Sequence, residues 1–193
     1  MFERLRDDFP IDYEQLNNYR KYFKQIEVPA KTVLLMEGEI ARKFYWIQNG
    51  CIRVWFNNNG DDITFQFFFE NSAVASLESF RKAIPSPVTI ETIEPCVLWY
   101  ADKHEVEQIV AEIMERPRLR NLFIDSIFER TFDYMKHFLS FIRDSPTQRY
   151  LYLVKERPEL IKRIPQHYIA SHLGITRVHL SRIRNKVAKG NIL

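Results

Sequence analysis

Short apolar segments separated by polar turns fill the first half of the chain, from about Phe23 to Tyr100. They are rich in β-branched and aromatic residues and have the sequences VLLMEGE, FYWIQNG, CIRVWF, ITFQFFF, VTIETI and CVLWY. Asn57-Asn58-Asn59-Gly60, Glu37-Gly38 and Asn49-Gly50 lie between them, and Asn and Gly favour tight turns. Because evenly spaced short strands with such turns are typical of sandwiches and barrels, we predict an N-terminal antiparallel sandwich or barrel.

Helical spacing replaces the strand pattern after Asp102, a residue type that often caps the start of a helix. A first helix is predicted to end at Pro117, and a longer one to run from Arg118 to about Arg143, before Asp144-Ser145-Pro146. Apolar positions alternate spacings of four and three along the long helix, with one polar interruption: Ile124, Phe128, Thr131, Met135, Phe138 and Ile142. This heptad pattern predicts pairing with an identical helix in a homodimer.

The alternative for the long helix is that its whole apolar surface folds onto the β-domain of the same chain. A second apolar strip, formed by Leu119, Phe123, Ile127, Tyr134 and Phe141, lies partly around the side of the helix. So wide an apolar surface is hard to cover from one side. We therefore expect the dimer.

The last quarter of the chain predicts a helix, a tight turn and a second helix. A helix in PTQRYLYLVKERPE comes first, and Ile164-Pro165 begins the next segment. Gln166 to His172 is predicted as a short helix that ends at Gly174, since glycine adopts the left-handed conformation at least cost. Thr176 then caps a second helix, whose inner side is predicted to carry Val178, Leu180, Ile183 and Val187.

Positive charge is concentrated in the same quarter. Residues 147–193 contain ten Lys and Arg against two acidic residues, a net charge of +8, so that residues 1–146 carry −5 of the total of +3. A basic segment on a helix-turn-helix pattern is the electrostatic signature of a nucleic-acid-binding module. The alternatives are a solvated basic helix, or a ligand-binding or protein-interaction module that binds DNA only non-specifically.

The second helix of the pair is the predicted DNA-reading element, because the major groove admits one helix and Arg can form bidentate bonds to guanine or pair with phosphate. The predicted DNA-binding residues lie on it or at its approaches: Gln166, Thr176, Arg177, Val178, His179, Ser181, Arg182, Arg184 and Lys186. Double-stranded DNA is therefore the predicted partner.

Several other classes of protein are not expected. No stretch approaches the ~20 apolar residues of a membrane span, and the N-terminus MFERLRDDFP is charged where a signal peptide is apolar, which predicts a cytoplasmic protein without a membrane partner. Cys51 and Cys96 lack neighbouring ligands, so we expect two buried free thiols and no metal site. A cupin-like metalloenzyme would require His ligands in the barrel, but no His lies between Phe23 and Tyr100. The sequence also has no glycine-rich phosphate loop and no catalytic triad. The chain is not predicted to be an enzyme.

The order of a β-barrel, a long helix and a helix-turn-helix resembles the CRP/FNR family of bacterial transcription regulators, from about residue 20 to residue 190. The segments VLLMEGEIARKFYWIQNGCIRVWF and IPQHYIASHLGITRVHLSRIRNKV carry the likeness. It implies an α+β fold: a jelly-roll (double-stranded β-helix) sensor barrel over 1–117, a central dimerisation helix over 118–145, and a winged-helix-like domain over 146–193. It also implies recognition helices in successive major grooves of a near-palindromic site, with RNA polymerase and a small-molecule effector as further partners.

Two departures from the family pattern affect DNA reading. Arg177 and Arg182 match the family's recognition-helix arginines, but Val178 occupies the place where Glu is common. A Glu can accept from cytosine whereas Val offers only apolar contact, so the usual operator is not expected. The chain also reaches Leu193 soon after Lys189, where the family continues into a β-hairpin wing, and the resemblance therefore predicts a short or absent wing.

The barrel departs from the nucleotide-binding members of the family. These have Gly-Glu-Leu and then Arg-Ser/Thr-Ala, whereas this chain has Ala75-Ser76-Leu77 and Ser86-Pro87-Val88. Without the buried Arg the phosphate loses its charge-assisted bond, so cyclic AMP is not expected to bind. Arg81 and Lys82 are predicted in an exposed loop between the two segments. The corresponding effector pocket would consist of Ala75, Ser76, Leu77, Ser86, Val88 and Thr89; its effector is not identified, and no cofactor is predicted.

The barrel is also rich in aromatic residues, which could line an apolar cavity or fill the core. They are Phe65, Phe67, Phe68, Phe69, Phe80 and Trp99. We expect a filled core, because aromatic side chains at such positions more often pack against one another than enclose a ligand.

Overall fold

The computed structural model describes residues 18–189. The charged N-terminus and residues 190–193, where a short or absent wing is predicted, lie outside the described residues. Within residues 18–189, no helix has the length and apolarity that crossing a bilayer requires.

Eight short strands form two antiparallel four-stranded sheets. They are β1 (Lys24–Val28), β2 (Val33–Leu35), β3 (Lys43–Asn49), β4 (Ile52–Asn58), β5 (Asp61–Phe68), β6 (Ala73–Val74), β7 (Thr89–Thr92) and β8 (Cys96–Asp102). One sheet has the order β1-β8-β3-β6 and the other β2-β7-β4-β5. Consecutive strands alternate between the two sheets except for β4 and β5, which are neighbours in one sheet. This is the jelly-roll-like arrangement that the resemblance implies.

The apolar segments that predicted the strands form the core. Ile47, Ile52, Ile90 and Leu98, one from each of four strands, are at most 1% exposed. The predicted tight turn joins β4 to β5, where Asn59 and Gly60 both have positive φ values (55° and 101°) and the Gly60 N–H donates to Asn57 Oδ1 over 3.0 Å. This is the geometry of a two-residue hairpin turn.

Position 50 requires a glycine, because the chain passes close to Cys96 at this point. The φ of Gly50 is +105°, and a Cβ on this residue would lie 2.5 Å from the Cys96 Sγ. Cys51 and Cys96 are both buried, as predicted, and they do not form a disulfide with each other. The fold brings them together, with the Cys96 Sγ 3.6 Å from the Cys51 carbonyl oxygen.

Seven helices lie within the described residues, besides a 3₁₀ turn at Arg20–Tyr22. They are α1 (Leu77–Lys82), α2 (Lys103–Glu115), α3 (Pro117–Arg143), α4 (Pro146–Glu156), α5 (Pro158–Arg163), α6 (Gln166–His172) and α7 (Arg177–Ala188). The predicted α+β class, the long helix and the C-terminal helix, turn and helix are confirmed.

The chain divides into two compact units, which we describe separately. The first comprises residues 1–54 and 67–129, and the second residues 55–66 and 130–193. The second unit thus contains the outer end of the β4–β5 hairpin, the last part of α3, and α4 to α7. The predicted limits at 117/118 and 145/146 are a separate, three-part division that stays a prediction.

Three local predictions differ from the structure. Arg81 and Lys82 are exposed, but they form the last turn of α1 rather than a loop. The predicted helix PTQRYLYLVKERPE is interrupted at Arg157, because Pro158 excludes the helical conformation from the residue before it and begins α5 instead. Val178 is predicted on the inner side of α7, but it is 61% exposed, and Leu180 and Ile183 form the buried side of the helix.

Candidate functional site

Helix α7 is held by its apolar side and presents the other side to solvent. Leu180 and Ile183 are 1% and 3% exposed, three residues apart, and they anchor the helix in the second unit. Thr176 caps its start, with Oγ1 accepting from the His179 N–H over 3.2 Å. Thr176 is therefore placed as predicted, as the residue that fixes where the helix begins.

Most of the predicted DNA-binding residues form one exposed surface on α7. Arg177, Val178, His179, Ser181, Arg182 and Lys186 are exposed, and Arg184 is half-buried. Val178, Ser181 and Arg182 share the outermost face, opposite the buried residues. Within residues 18–189, no acidic side chain lies within ion-pair distance of Arg177, Arg182 or Lys186. These charges are available to a partner.

The turn before α7 has a defined geometry. Gly174 has a φ of +67°, its N–H donates to the Ser171 carbonyl over 2.9 Å, and the Ile175 N–H donates to the Ala170 carbonyl over 3.0 Å. This is the Schellman motif, which satisfies the last carbonyls of α6. Arg149 donates to the Leu173 carbonyl over 2.9 Å and thereby fixes the same turn from α4.

A cavity of about 340 Å³ lies beside α7. Its lining includes the predicted residues Gln166 and Arg184, together with Lys162 and Arg163 from the end of α5. Sequence reasoning missed these two cations, although the Lys-Arg pair directly precedes Ile164-Pro165 and the start of α6. Four polar or cationic side chains from three helices are therefore brought to one concavity.

The predicted dimer residues are all exposed on α3. Phe138 and Ile142 are the most exposed, at 66% and 70%, and Ile124, Phe128, Thr131 and Met135 are exposed with them. Nine apolar or aromatic side chains of this 27-residue helix are exposed in the single chain. By contrast, Leu119 near its start is buried in a small cluster with Tyr19 and Ile109.

In the barrel, serine hydroxyls occupy the place of the family's charged groups. Ser76 and Ser86 are buried, and their hydroxyl oxygens lie 2.9 Å apart. The Ser86 hydroxyl donates to the Val88 carbonyl over 2.7 Å, and Ser79 accepts from the Ala41 N–H over 2.9 Å. The remaining predicted pocket residues are not all interior: Thr89 is buried, Ala75 and Val88 are half-buried, and Leu77 is exposed.

A smaller cavity of about 180 Å³ in the first unit lies elsewhere. It is lined from β2, β3 and the segment between them, and none of the six predicted effector-pocket residues contributes. Tyr45 in its lining donates to the Leu34 carbonyl over 3.3 Å, and burial raises the pKa of this phenol to about 12. Of the barrel aromatics, Phe67, Phe69, Phe80 and Trp99 are buried.

A buried ion pair joins two strands of the barrel. The Arg53 Nη2 and Nε lie 2.7 Å and 2.9 Å from the same oxygen of Glu91, Oε2, and both side chains are nearly inaccessible, at 4% and 11% exposure. Glu91 lies on β7, all four residues of which are buried. The barrel thus places charge in its interior as a matched pair.

Comparison with known families supports this reading of the fold. Residues 25–112 match the model of the cyclic nucleotide-binding domain family. No curated protein matches the sequence significantly.

Solved structures of transcription regulators have the same fold over nearly the whole chain. The c-di-GMP responsive global regulator CLP of Xanthomonas campestris is 16% identical with a TM-score of 0.74, and the match covers 94% of both chains. A CooA variant from Carboxydothermus hydrogenoformans is 16% identical at a TM-score of 0.71, covering 94% of this chain and 85% of that one. FixK2 of Bradyrhizobium japonicum is 15% identical with a TM-score of 0.70, and the match covers 89% of this chain and 87% of FixK2. The expected resemblance to CRP/FNR regulators is thereby confirmed at the level of the fold.

Proposed function

We propose that this chain is a homodimeric, sequence-specific DNA-binding transcription regulator of the CRP/FNR type, acting in the cytoplasm and without catalysis. One observation carries the proposal: α7 is anchored by its buried Leu180 and Ile183 and exposes cations that are unpaired within the described residues. Arg182 lies on the face opposite the two anchors, and Arg177 and Lys186 lie on either side of that face. A helix held in this way fits the major groove, where Arg reads guanine.

The contacts divide into base reading and phosphate binding. Arg182, Ser181 and Val178 on the outermost face of α7 are the base-reading residues, with Val178 suited to a thymine methyl group. Lys162, Arg163, Gln166 and Arg184 around the 340 Å³ cavity hold backbone phosphate, which supplies affinity and orientation without sequence information. Because Val178 replaces the family's Glu, the preferred site differs from the usual operator.

The dimer forms along α3. An isolated chain would expose nine apolar or aromatic side chains of this helix, a larger apolar surface than soluble monomers usually leave in water. A second copy of the helix covers the heptad positions Ile124, Phe128, Thr131, Met135, Phe138 and Ile142 of the first, and two recognition helices then meet half-sites about one helical turn apart. RNA polymerase is the further partner that this type of regulator implies.

The barrel senses something other than cyclic AMP. A charged donor strengthens the hydrogen bonds to a phosphate, whereas the buried Ser76 and Ser86 hydroxyls are neutral and are committed to each other and to the Val88 carbonyl. Any effector would have to bind the two arrangements of the dimer with different affinity in order to act on DNA binding.

The dimer is tested by Phe138→Glu, with Ser126→Glu as the matched control, since Ser126 is exposed on the opposite side of the same helix. Each dimer would bury two copies of the glutamate and lose two buried phenyl rings, each worth about 1.5–3 kcal/mol, so the dimer dissociation constant should rise at least about 100-fold. Sedimentation equilibrium measures this constant, and binding to a two-half-site duplex should weaken in parallel.

The proposal is contradicted if the wild-type protein is monomeric at micromolar concentration, or if Phe138→Glu and Ser126→Glu sediment alike. Retention on DNA that is equal for all sequences and falls steeply with salt would instead favour the alternative of a module that only binds phosphate.

A further inference from the structure

The tip of the β4–β5 hairpin is hydrogen-bonded to the first helix of the helix-turn-helix, within the second compact unit. Ser171 on α6 makes both bonds. Its Oγ accepts from the Thr64 N–H over 2.8 Å and donates to the Asp62 carbonyl over 2.6 Å. One side chain thus satisfies a donor and an acceptor of the β5 backbone, and it does so three residues before the turn that leads to α7.

Two histidines complete this contact. The ring of His172, 3% exposed, stacks on that of His137 from α3, with 4.6 Å between the ring centroids and 12° between the planes. The His172 Nδ1 lies 3.4 Å from the Thr64 carbonyl oxygen. Phe65 of the hairpin and Phe141 of α3 both meet His137 edge-on, at 6.5 Å and 5.1 Å. Aromatic rings from the hairpin, α3 and α6 therefore form one packed group.

The surroundings of the two imidazoles oppose protonation. Burial is the largest cause of the lowered pKa in both rings. It lowers the pKa of His172 to about 3, and it also lowers the pKa of His137. The positive charges nearby are Arg149 from α4, acting on His137, and Arg157 after α4, acting on both. Tyr134 on α3 packs on Phe65, Asp144 after α3 faces Arg149, and the hairpin contributes backbone carbonyls.

Proton uptake therefore favours separation of the contact. A released histidine titrates near 6.5, whereas the docked His172 stays neutral down to about pH 3. The stability that the neutral stack supplies is fully present above about pH 6.5, and it falls as the pH drops below that value, because only the released form binds protons. The decline continues until the docked ring itself titrates.

We infer that Ser171, His172 and His137 are positioning residues, which hold α6 on the β4–β5 hairpin so that α7 is presented to DNA, and that mild acid releases this hold. The inference rests on the proposed function for its DNA readout. It gives the regulator a proton-dependent control of its reading helix that does not involve the barrel's effector pocket.

The first test needs no DNA. The protection factor of the Thr64 amide, whose N–H donates to Ser171, is measured by hydrogen exchange on the full chain at pH 7.5 and pH 5.5. His172 alone, which titrates near 6.5 when released, should lower protection about 10-fold over this interval, and proton uptake by His137 should raise the loss in the wild type above this value, up to about 100-fold. Ser171→Ala should lower Thr64 protection at both pH values.

Two variants separate titration from packing. His137→Phe keeps an aromatic ring against Phe65 and Phe141 but cannot bind a proton, so the loss of protection should shrink to that of His172 alone, about 10-fold. His104→Gln is the control, since His104 is exposed on α2 in the other unit, and it should behave as the wild type. DNA affinity measured over the same pH range should fall in the wild type and fall less in His137→Phe.

The inference is overturned if Thr64 protection is the same at both pH values, or if wild type and His137→Phe lose it equally. Failure of the proposed function looks different: the protein would bind no specific DNA at any pH, while Thr64 protection would still fall in acid.

Discussion

The serine cluster of the barrel and the exposed face of α7 differ in the charge that they present. In the barrel, Ser76 and Ser86 are buried, and their hydroxyl oxygens lie 2.9 Å apart. On α7, Arg177 and Arg182 are exposed and have no acidic neighbour within the described residues. The exposed face of α7 thus presents cations, whereas this part of the barrel presents neutral hydroxyl groups.

This difference separates the structural from the functional use of charge. The charged pair inside the barrel, Arg53 and Glu91, is matched and nearly inaccessible, so it belongs to the folded interior and is not presented to a ligand. The cations of α7 gain nothing from the folded chain and cost little in water, so they are available for binding. The fold is shared with solved structures at 15–16% identity, and a shared fold does not by itself fix the ligand chemistry of a site.

The largest effect is expected for the buried ion pair between Arg53 and Glu91. Glu91→Gln would leave the Arg53 guanidinium buried without its countercharge, and this should lower the free energy of unfolding by about 3–5 kcal/mol. Urea denaturation followed by far-UV circular dichroism measures the loss. The double variant Arg53→Met/Glu91→Leu should recover most of it, because it removes both charges. A loss below about 1 kcal/mol in Glu91→Gln would show that the pair is solvated after all.

The next largest effect is expected for the exposed cations of α7. Arg182→Ala should weaken specific DNA binding by about 1–3 kcal/mol per half-site and relax sequence preference at one position, while stability stays unchanged because Arg182 is exposed. Lys155→Ala removes the same charge from the exposed surface of α4 and should cost much less. Fluorescence anisotropy with labelled duplexes compares them. Equal losses in the two variants would mean that only net charge matters.

The smallest effect tests whether the barrel site is closed. Ser86→Ala should lower stability by about 0.5–1.5 kcal/mol, the usual contribution of a hydrogen bond, since the hydroxyl contacts Ser76 and the Val88 carbonyl. Cyclic AMP at about 1 mM should leave the thermal midpoint of the wild type unchanged, because a ligand that binds the native state raises it. A concentration-dependent rise would reopen the barrel as a nucleotide site.

Local signals in the sequence predicted local structure well. Gly174 and the Thr176 cap set the turn and the start of α7, and α6 runs from Gln166 to His172 as expected. The heptad spacing gave the exposed residues of α3, and the Asn59-Gly60 pair gave the hairpin. Each of these depends on residues within about one turn or one heptad of each other.

Contacts between distant segments could not be predicted in the same way. Ser171 bonds to Thr64 across 107 positions, and Arg53 meets Glu91 across 38, so neither pairing leaves a periodic trace in the sequence. The alternation in VTIETI predicted a strand, but it did not reveal that all four residues of β7 are buried. Lys162 and Arg163 join Gln166 and Arg184 only because three helices meet at one cavity.

The central claim, that α7 reads base sequence, is tested most directly by selecting bound fragments from random duplex DNA with the full-length protein at near-physiological salt. If α7 reads base sequence, the selection should enrich a two-fold symmetric motif with half-sites about 10 base pairs apart. This enrichment should disappear with Arg182→Ala and persist with Lys155→Ala. Recovery of DNA without any enriched motif, with retention that depends on salt alone, would contradict the claim.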